Sequence, residues 1–188
     1  MMTLSAAALL GGCLASAPMT ATEWTVDWLR AGKVAVAAPV EPGATLARLV
    51  SVEVRAPFSA RELAVLRGDG TIAFDAYNVF AAPPASLFRG PAIDALKASG
   101  LYKDVLSPAS SGRAEESLEL VVSELALDCR GGGRKASVKV KLTRLGQRGE
   151  YLGSSLGAAA VAAESDFSAA FSQAFVEAVG AAVRQGAK

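Results

Sequence analysis

The side chains in this sequence that could do chemistry are two cysteines, Cys13 and Cys129, and a cluster of basic residues that follows the second one. The chain contains no histidine among its 188 residues. Without histidine it cannot build Ser-His-Asp or Cys-His nucleophile systems, a histidine zinc site or the usual general base near neutral pH. An S-x-x-K nucleophile motif is also absent from the sequence. The composition therefore predicts a protein that is not an enzyme, with no metal or cofactor site.

The overall composition predicts one globular domain. With 52% hydrophobic residues, 20% charged residues and a net charge of +1, the chain is too apolar for a disordered protein and too balanced to bind nucleic acid through bulk charge. Its length fits the ~100–200 residues of a single domain. No apolar run approaches the ~20 residues that a membrane-spanning helix needs. We therefore expect no nucleic-acid partner and no transmembrane helix.

The N-terminus resembles a bacterial lipoprotein signal. An apolar run from Leu4 leads into Leu10-Gly11-Gly12-Cys13, where small residues directly precede a cysteine. The resemblance implies a signal peptide over residues 1–12, a diacylglyceryl group on the Cys13 thiol and acylation of the new N-terminus. Several acyl chains, each contributing ~0.8 kcal/mol per buried CH₂, hold a domain on a bilayer. The alternative is an apolar N-terminus with a chance cysteine.

The residues after Cys13 suit such an anchor. The stretch contains Ser, Ala, Thr and Pro with a single charge, Glu23, so we interpret residues 13–23 as a lipidated tether and 24–188 as the domain. Leu14 is not the Asp that tends to retain lipoproteins at the inner membrane. The resemblance therefore implies the periplasmic face of the outer membrane, with the inner membrane as the alternative.

A basic segment over residues 130–148 contains no acidic residue. Its period-2 alternation predicts a strand with Lys135, Lys139 and Lys141 on one face and the apolar residues of 138–142 on the other. A basic sheet face could contact anionic lipid headgroups or an acidic partner. The alternative is a solvated strand whose lysines discourage edge-to-edge pairing.

Two further motifs have structural explanations beside functional ones. The glycines of Gly131-Gly132-Gly133 lack the spacing of a phosphate-binding loop and lie between two strands, so we reject nucleotide binding. A surface aromatic patch at Tyr77 and Phe80 could dock a partner. The alternative is that these aromatics, like Phe58 and Phe74, fill the core.

The second cysteine, Cys129, has no partner in the chain if Cys13 carries lipid. It ends a run of apolar residues, where an unpaired thiol most often acts as a small buried hydrophobic group. We favour this over a reactive or intermolecular thiol.

The elements that must position these residues begin with strands of alternating polarity. Gly68-Asp69-Gly70 accepts the backbone angles of a tight turn and predicts a hairpin. The two longest strands should pair antiparallel across the triple glycine. The predicted strands are Arg48–Arg55, Leu63–Arg67, Thr71–Asp75, Leu118–Cys129, Ala136–Leu145 and Tyr151–Leu156.

Two helices complete the predicted fold. The first, over about 84–100, opens at Pro83-Pro84 and contains Pro91, where we expect a kink or a restart. The second, over about 166–184, repeats apolar residues every three or four positions, so its apolar stripe should pack on the sheet. The sequence thus predicts a single α+β domain with a mostly antiparallel sheet and two packed helices.

Six short motifs follow one another through the central segment. They are Arg48–Phe58, Arg61–Leu63, Arg67–Gly70, Phe74–Asn78, Ala82–Pro84 and Ala98–Tyr102. In this order, behind a lipoprotein signal, they resemble the ABC-type transport auxiliary lipoprotein family, which includes the PqiC-like components of MCE-type lipid transport systems. The remainder of the chain is similar to that family in its pattern of strand, strand and closing helix.

The resemblance implies a function without catalysis. We expect a membrane-anchored auxiliary subunit of an ABC/MCE-type system that moves lipids across the cell envelope. Its partners would be an MCE-domain protein and an ABC permease/ATPase complex, with ATP hydrolysis in another subunit; a homo-oligomer is compatible with this function. The alternatives are a structural envelope lipoprotein and, third, a lipid-anchored periplasmic enzyme.

Overall fold

A computed structural model describes residues 21–24, 43–164 and 166–186. Within these ranges the chain forms one sheet of eight strands and two helices, which confirms the predicted α+β class. The elements are β1 (Thr22–Trp24), β2 (Leu46–Val54), β3 (Glu62–Leu66), β4 (Ile72–Phe80), α1 (Pro84–Ala98), β5 (Asp104–Leu106), β6 (Glu116–Asp128), β7 (Lys135–Gly146), β8 (Tyr151–Ala162) and α2 (Phe167–Gly186).

Strand β6 joins the two parts of the sheet. On one side its first half pairs parallel with β2 and its last residues pair parallel with β3. On the other side it pairs antiparallel with β7 along its whole length, and β7 pairs antiparallel with β8. The sheet is therefore mixed, and the prediction of a mostly antiparallel sheet needs correction. Strand β1 pairs parallel with β4, and β2 pairs parallel with β5. Parallel neighbours cannot be joined by a tight hairpin and need a longer crossover connection.

Helix α1 begins where the sequence predicts, with Pro84 in its first turn, where a missing N–H removes no hydrogen bond. The chain leaves the helix through Gly100 at φ +67°, a conformation that glycine adopts without strain. The helix continues through Pro91 without a break, so no second helix starts there.

The two helices pack on the same face of the sheet, which we call the covered face. On β7 the covered face carries Val138, Val140 and Leu142, each at most 1% exposed. Helix α2 lies close to β8 at Gly157, where a Cβ atom would stand 1.8 Å from the Ala178 carbonyl oxygen. The predicted packing of the C-terminal apolar stripe on the sheet is thus confirmed.

Aromatic rings connect strand β4 to both helices. The Phe80 ring lies 6.4 Å from that of Phe88 in α1 and 6.2 Å from that of Phe171 in α2, between centroids. The Phe88 ring lies 4.3 Å from that of Phe175. The hydrophobic core is therefore continuous from β4 through both helices.

Candidate docking surfaces

Cys13, the residue predicted to carry the lipid, lies outside the described residues. The described part of the chain begins with Ala21 and strand β1. In β1, Trp24 is 8% exposed, and its ring lies 4.2 Å from that of Phe80 between centroids. The Arg61 guanidinium donates to the Glu23 carboxylate at 2.6 Å. Strand β1 includes Thr22 and Glu23 and lies at an edge of the described sheet beside β4.

The face of the sheet opposite the helices carries the three lysines, and we call it the open face. Lys135, Lys139 and Lys141 are all exposed there, while the alternate residues of β7 are buried on the covered face. The predicted alternation is therefore correct. Alternation predicts the direction of these side chains, but it does not predict which residues of the adjacent strands lie beside them.

Acidic residues of β6 accompany these lysines on the open face. The register places Asp128 opposite Lys135 and Glu124 opposite Lys139. The Lys139 Nζ donates to Glu124 Oε2 at 2.7 Å, and the Ser137 hydroxyl donates to the other oxygen of that carboxylate at 2.5 Å. The open face of β7 therefore has mixed charge, in contrast to the basic face that the segment predicts when read alone.

Asp128 keeps its negative charge to low pH. The Arg130 guanidinium donates to both of its carboxylate oxygens, at 2.9 and 2.7 Å. These side-chain hydrogen bonds, with a further one from the Arg130 backbone N–H, lower the pKa of Asp128 to about 2. The acidic partner opposite Lys135 is therefore ionised at any physiological pH.

The position of β7 in the sheet removes one explanation of its lysines. The strand pairs with β6 on one side and with β8 on the other, so it has no free edge. Lysines that discourage edge-to-edge pairing belong on edge strands. The edge strand beside β7 is β8, which contains no charged residue.

Strand β4 places its two predicted surface aromatics differently. Phe80 is 1% exposed and packs in the core, so the prediction that it forms part of a surface is wrong. Tyr77 is 50% exposed and lies in an irregular stretch of β4. The Asp75 carboxylate accepts from the backbone N–H of Tyr77 at 2.8 Å and from the Asn78 side-chain amide at 2.8 Å. Asp75 thereby fixes the bulge that turns Tyr77 outward.

Two apolar residues that the sequence does not identify as surface residues lie next to this bulge. Ile72 and Phe74 pair with Leu66 and Ala64 of β3, which places all four side chains on the open face. Ile72 is 40% exposed and Phe74 is 50% exposed. The prediction that Phe74 fills the core is therefore wrong, and of the two alternatives for Tyr77 the surface position is the one observed. Phe58 is partly buried against the small cluster of Ala64, Leu66 and Ala126. Alternation gives the spacing of these residues but cannot tell which face the helices cover.

The remaining sequence motifs have structural roles in the described residues. The triple glycine forms the turn between β6 and β7, with Gly132 at φ +76°. Cys129 has a free thiol, is partly buried and packs against the main core. Among the described residues no group of three or more His, Cys, Asp or Glu side chains could hold a metal ion. Across the same residues, no helix has the length and apolarity needed to cross a membrane.

A polar group lies inside the covered core beside the sheet. Tyr102 is 4% exposed, and its hydroxyl has no hydrogen-bond partner among the described residues. Burial raises the pKa of this phenol to about 12. Nearby, the Arg144 guanidinium donates to both carboxylate oxygens of Glu116, at 2.9 and 2.8 Å. The two opposite charges therefore neutralise each other, and we interpret Arg144 and Glu116 as a structural ion pair.

Comparison with known proteins gives the fold. The sequence matches no protein-family model, and no curated protein matches it. The chain is similar to the crystal structure of a Xanthomonas campestris protein of family DUF330, at 16% identity and a TM-score of 0.58, with 86% of each chain covered. It is also similar to the crystal structure of an uncharacterized protein, at 11% identity and a TM-score of 0.61, covering 89% of this chain and 95% of that chain. The protein therefore has the α+β fold of these structures over most of its length.

Proposed function

We propose that this protein is a lipid-anchored envelope lipoprotein that serves as a non-catalytic auxiliary subunit of an ABC/MCE-type lipid transport system. The observation that carries the proposal is the sequence Leu10-Gly11-Gly12-Cys13 in front of a domain with the fold of a DUF330 protein. The order of the six central motifs, which resembles that of the ABC-type transport auxiliary lipoprotein family, supports the same proposal. The anchor would hold the domain at the periplasmic face of the outer membrane.

The domain would contact the transporter through the apolar side chains at the β3–β4 hairpin. We call Ile72, Phe74 and Tyr77 the hairpin surface; they are 40%, 50% and 50% exposed. A groove of about 330 Å³ runs beside Phe74 and Tyr77, with Val65 and Arg67 along its wall. Clusters of exposed apolar side chains rimmed by polar residues are typical of protein–protein contacts. The partner would be the MCE-domain protein or the permease.

The lysines of β7 support a lipid-headgroup role less well. A cation contributes ~1 kcal/mol near an anionic membrane surface when its charge is not already neutralised. Lys139 is paired with Glu124 at 2.7 Å, and Asp128 lies opposite Lys135. Approach of this face to an anionic surface would bring the acidic side chains along with the basic ones. We therefore assign partner docking to the hairpin surface.

The experiment separates anchoring from docking. Cys13→Ser should release the folded protein from the membrane fraction, because no acyl chain then holds it. Phe74→Ser with Tyr77→Ser should leave the protein in the membrane fraction but abolish its co-purification with the MCE-domain and permease subunits after cross-linking. Val50→Ser is the matched control, since Val50 is a comparably exposed residue of β2, at 44%; it should retain those partners.

Two results would contradict the proposal. If the Cys13→Ser protein still sediments with membranes after a salt wash, lipid at Cys13 does not hold it there. If the unaltered protein co-purifies with envelope components but never with transporter subunits, the structural lipoprotein is the better assignment.

A further inference from the structure

Among the strands that the structure describes, β8 forms the longest free edge of the sheet. It has 12 residues, pairs with β7 on one side only and contains neither a charged residue nor a proline. Of the seven exposed large hydrophobic side chains among the described residues, three are in β8: Tyr151, Leu152 and Leu156. An edge strand of this length and composition exposes a row of backbone donors and acceptors that another strand can pair with.

The first half of β8 has two features that hinder such pairing. A register shift next to Tyr151 leaves Leu152 as an extra residue opposite β7, which is a bulge. The backbone N–H of Leu156 donates to the Gln185 side chain of α2 at 2.6 Å. Bulges and covering side chains are the devices by which proteins protect edge strands.

The second half of β8, residues 158–162, has neither feature. The N–H of Leu156 points away from β7, whereas the N–H of Ala163 donates to the Arg134 carbonyl at the end of β7. By alternation, the N–H and C=O groups of Ala158, Ala160 and Ala162 also point away from β7. All three alanines are exposed on the open face, and their small side chains offer no steric barrier to an approaching strand.

The charges along the edges identify the strand that fits. The strand order of the described sheet ends in β1 and β5, which leave residues 72–77 of β4 and 49–54 of β2 without a described partner on their outer side. Those two stretches carry Asp75 and Glu53, so the uncharged strand that the described chain offers to the second half of β8 is the same segment of another copy. That segment is uncharged, so two copies meet without like-charge repulsion, and antiparallel pairing of identical strands generates a closed two-fold dimer.

We infer that a second copy of this chain pairs antiparallel with the first through β8, with Ala160 opposite Ala160 of the other copy. In this register Ala158 lies opposite Ala162 of the other copy, and each of these residues exchanges two backbone hydrogen bonds with its counterpart. The Gln185 contact to Leu156 stays intact, because the pairing begins two residues later. The two sheets then form one continuous sheet with both α2 helices on the same side.

The test measures self-association of the full chain carrying Cys13→Ser, so that no acyl group drives it. Sedimentation equilibrium should show a species of twice the 19.2 kDa chain mass. Hydrogen exchange at residues 158–162 should slow as the protein concentration rises. Ala160→Pro removes the central N–H, which makes no bond to β7, and should weaken the dimer at least about tenfold.

A pair of charge variants tests the register without using proline. Ala160→Lys and Ala160→Glu each place like charges opposite one another in a homodimer and should each be monomeric at concentrations where the unaltered residue gives a dimer. An equimolar mixture of the two should restore the dimer. Ala76→Lys, which adds the same charge at an exposed position of β4, is the matched control and should leave the dimer unchanged.

Three results would overturn the inference. One is a monomer at every concentration. Another is a dimer that survives Ala160→Pro and Ala160→Lys in folded protein, as judged by circular dichroism. The third is failure of the mixed charge variants to restore the dimer, which would contradict the stated register. Lipid anchoring and transporter docking use other residues, so each proposal can fail without the other.

Discussion

The two faces of the same strands are stabilised in different ways. On the covered face, Val138 and Val140 of β7 are buried beneath α2, where each apolar side chain contributes about 1.5–3 kcal/mol through burial. On the open face, the Lys139 side chain is half-exposed and its partner Glu124 is 13% exposed, and a cross-strand pair of this kind contributes only about 0.2–1 kcal/mol. Most of the folding free energy is therefore concentrated on one face. The other face is free to carry side chains for recognition.

The largest test of this difference is the same substitution on each face. Phe171 of α2 is 0% exposed and contacts Trp24 and Phe80, so Phe171→Ala should lower the free energy of unfolding by about 3–5 kcal/mol. Phe74 of the hairpin surface is 50% exposed, and Phe74→Ala should cost less than about 1 kcal/mol. Urea denaturation of both variants measures the two values. Equal losses would show that the open face is not the weakly stabilised one.

The covered face is also the one that the sequence predicts well. Alternation in β7 and the three-to-four residue spacing of α2 depend on neighbours close in sequence, and both are confirmed. The hairpin at Gly68–Gly70 and the proline start of α1 depend on local backbone preferences, and both are also present. Features set by a residue's immediate sequence neighbours are thus recoverable from the chain alone.

The open face depends on partners distant in sequence, and there the predictions are incomplete. Residues 130–148 look basic because the acidic Glu124 lies on a different strand, brought beside Lys139 by the β6–β7 register. Phe74 looks like a core residue because alternation does not say which face α2 covers. Phe80 looks like part of a surface motif with Tyr77, but the bulge held by Asp75 separates their environments. The first two errors concern elements distant in sequence, and the third concerns a local irregularity within β4 that strict alternation does not describe.

The close approach of α2 to β8 gives the second test of the covered face. A Cβ atom at Gly157 would stand 1.8 Å from the Ala178 carbonyl oxygen and 2.6 Å from the Ala182 nitrogen, so the backbone of the helix must move. Gly157→Ala should therefore cost about 1–3 kcal/mol through overpacking. Gly131→Ala, in the open turn between β6 and β7, meets no atom within 4 Å and is the control. A thermal unfolding midpoint for Gly157→Ala equal to that of the control would contradict this packing.

The smallest expected effect comes from the polar group buried in the covered core. The Tyr102 hydroxyl has no partner among the described residues, and an unpaired buried polar group costs about 1–3 kcal/mol. Tyr102→Phe removes the hydroxyl and keeps the ring, so it should raise the free energy of unfolding by about 1 kcal/mol at neutral pH. Chemical denaturation at pH 7 measures this gain, and a loss on substitution would show that the hydroxyl is hydrogen-bonded in solution.

The same variant makes a prediction with a definite sign at alkaline pH. Burial raises the pKa of Tyr102 to about 12 in the folded protein, above the ~10 of an unfolded tyrosine. The unfolded chain then loses its phenolic proton first, so the stability linked to this group is fully present below pH ~10 and is lost as the pH rises toward 12. Tyr102→Phe lacks this ionisation, and its free energy of unfolding should fall less steeply with pH in that interval. Parallel slopes for the two proteins between pH 10 and 12 would mean that Tyr102 titrates as a solvated phenol, and that the covered face admits water at this position.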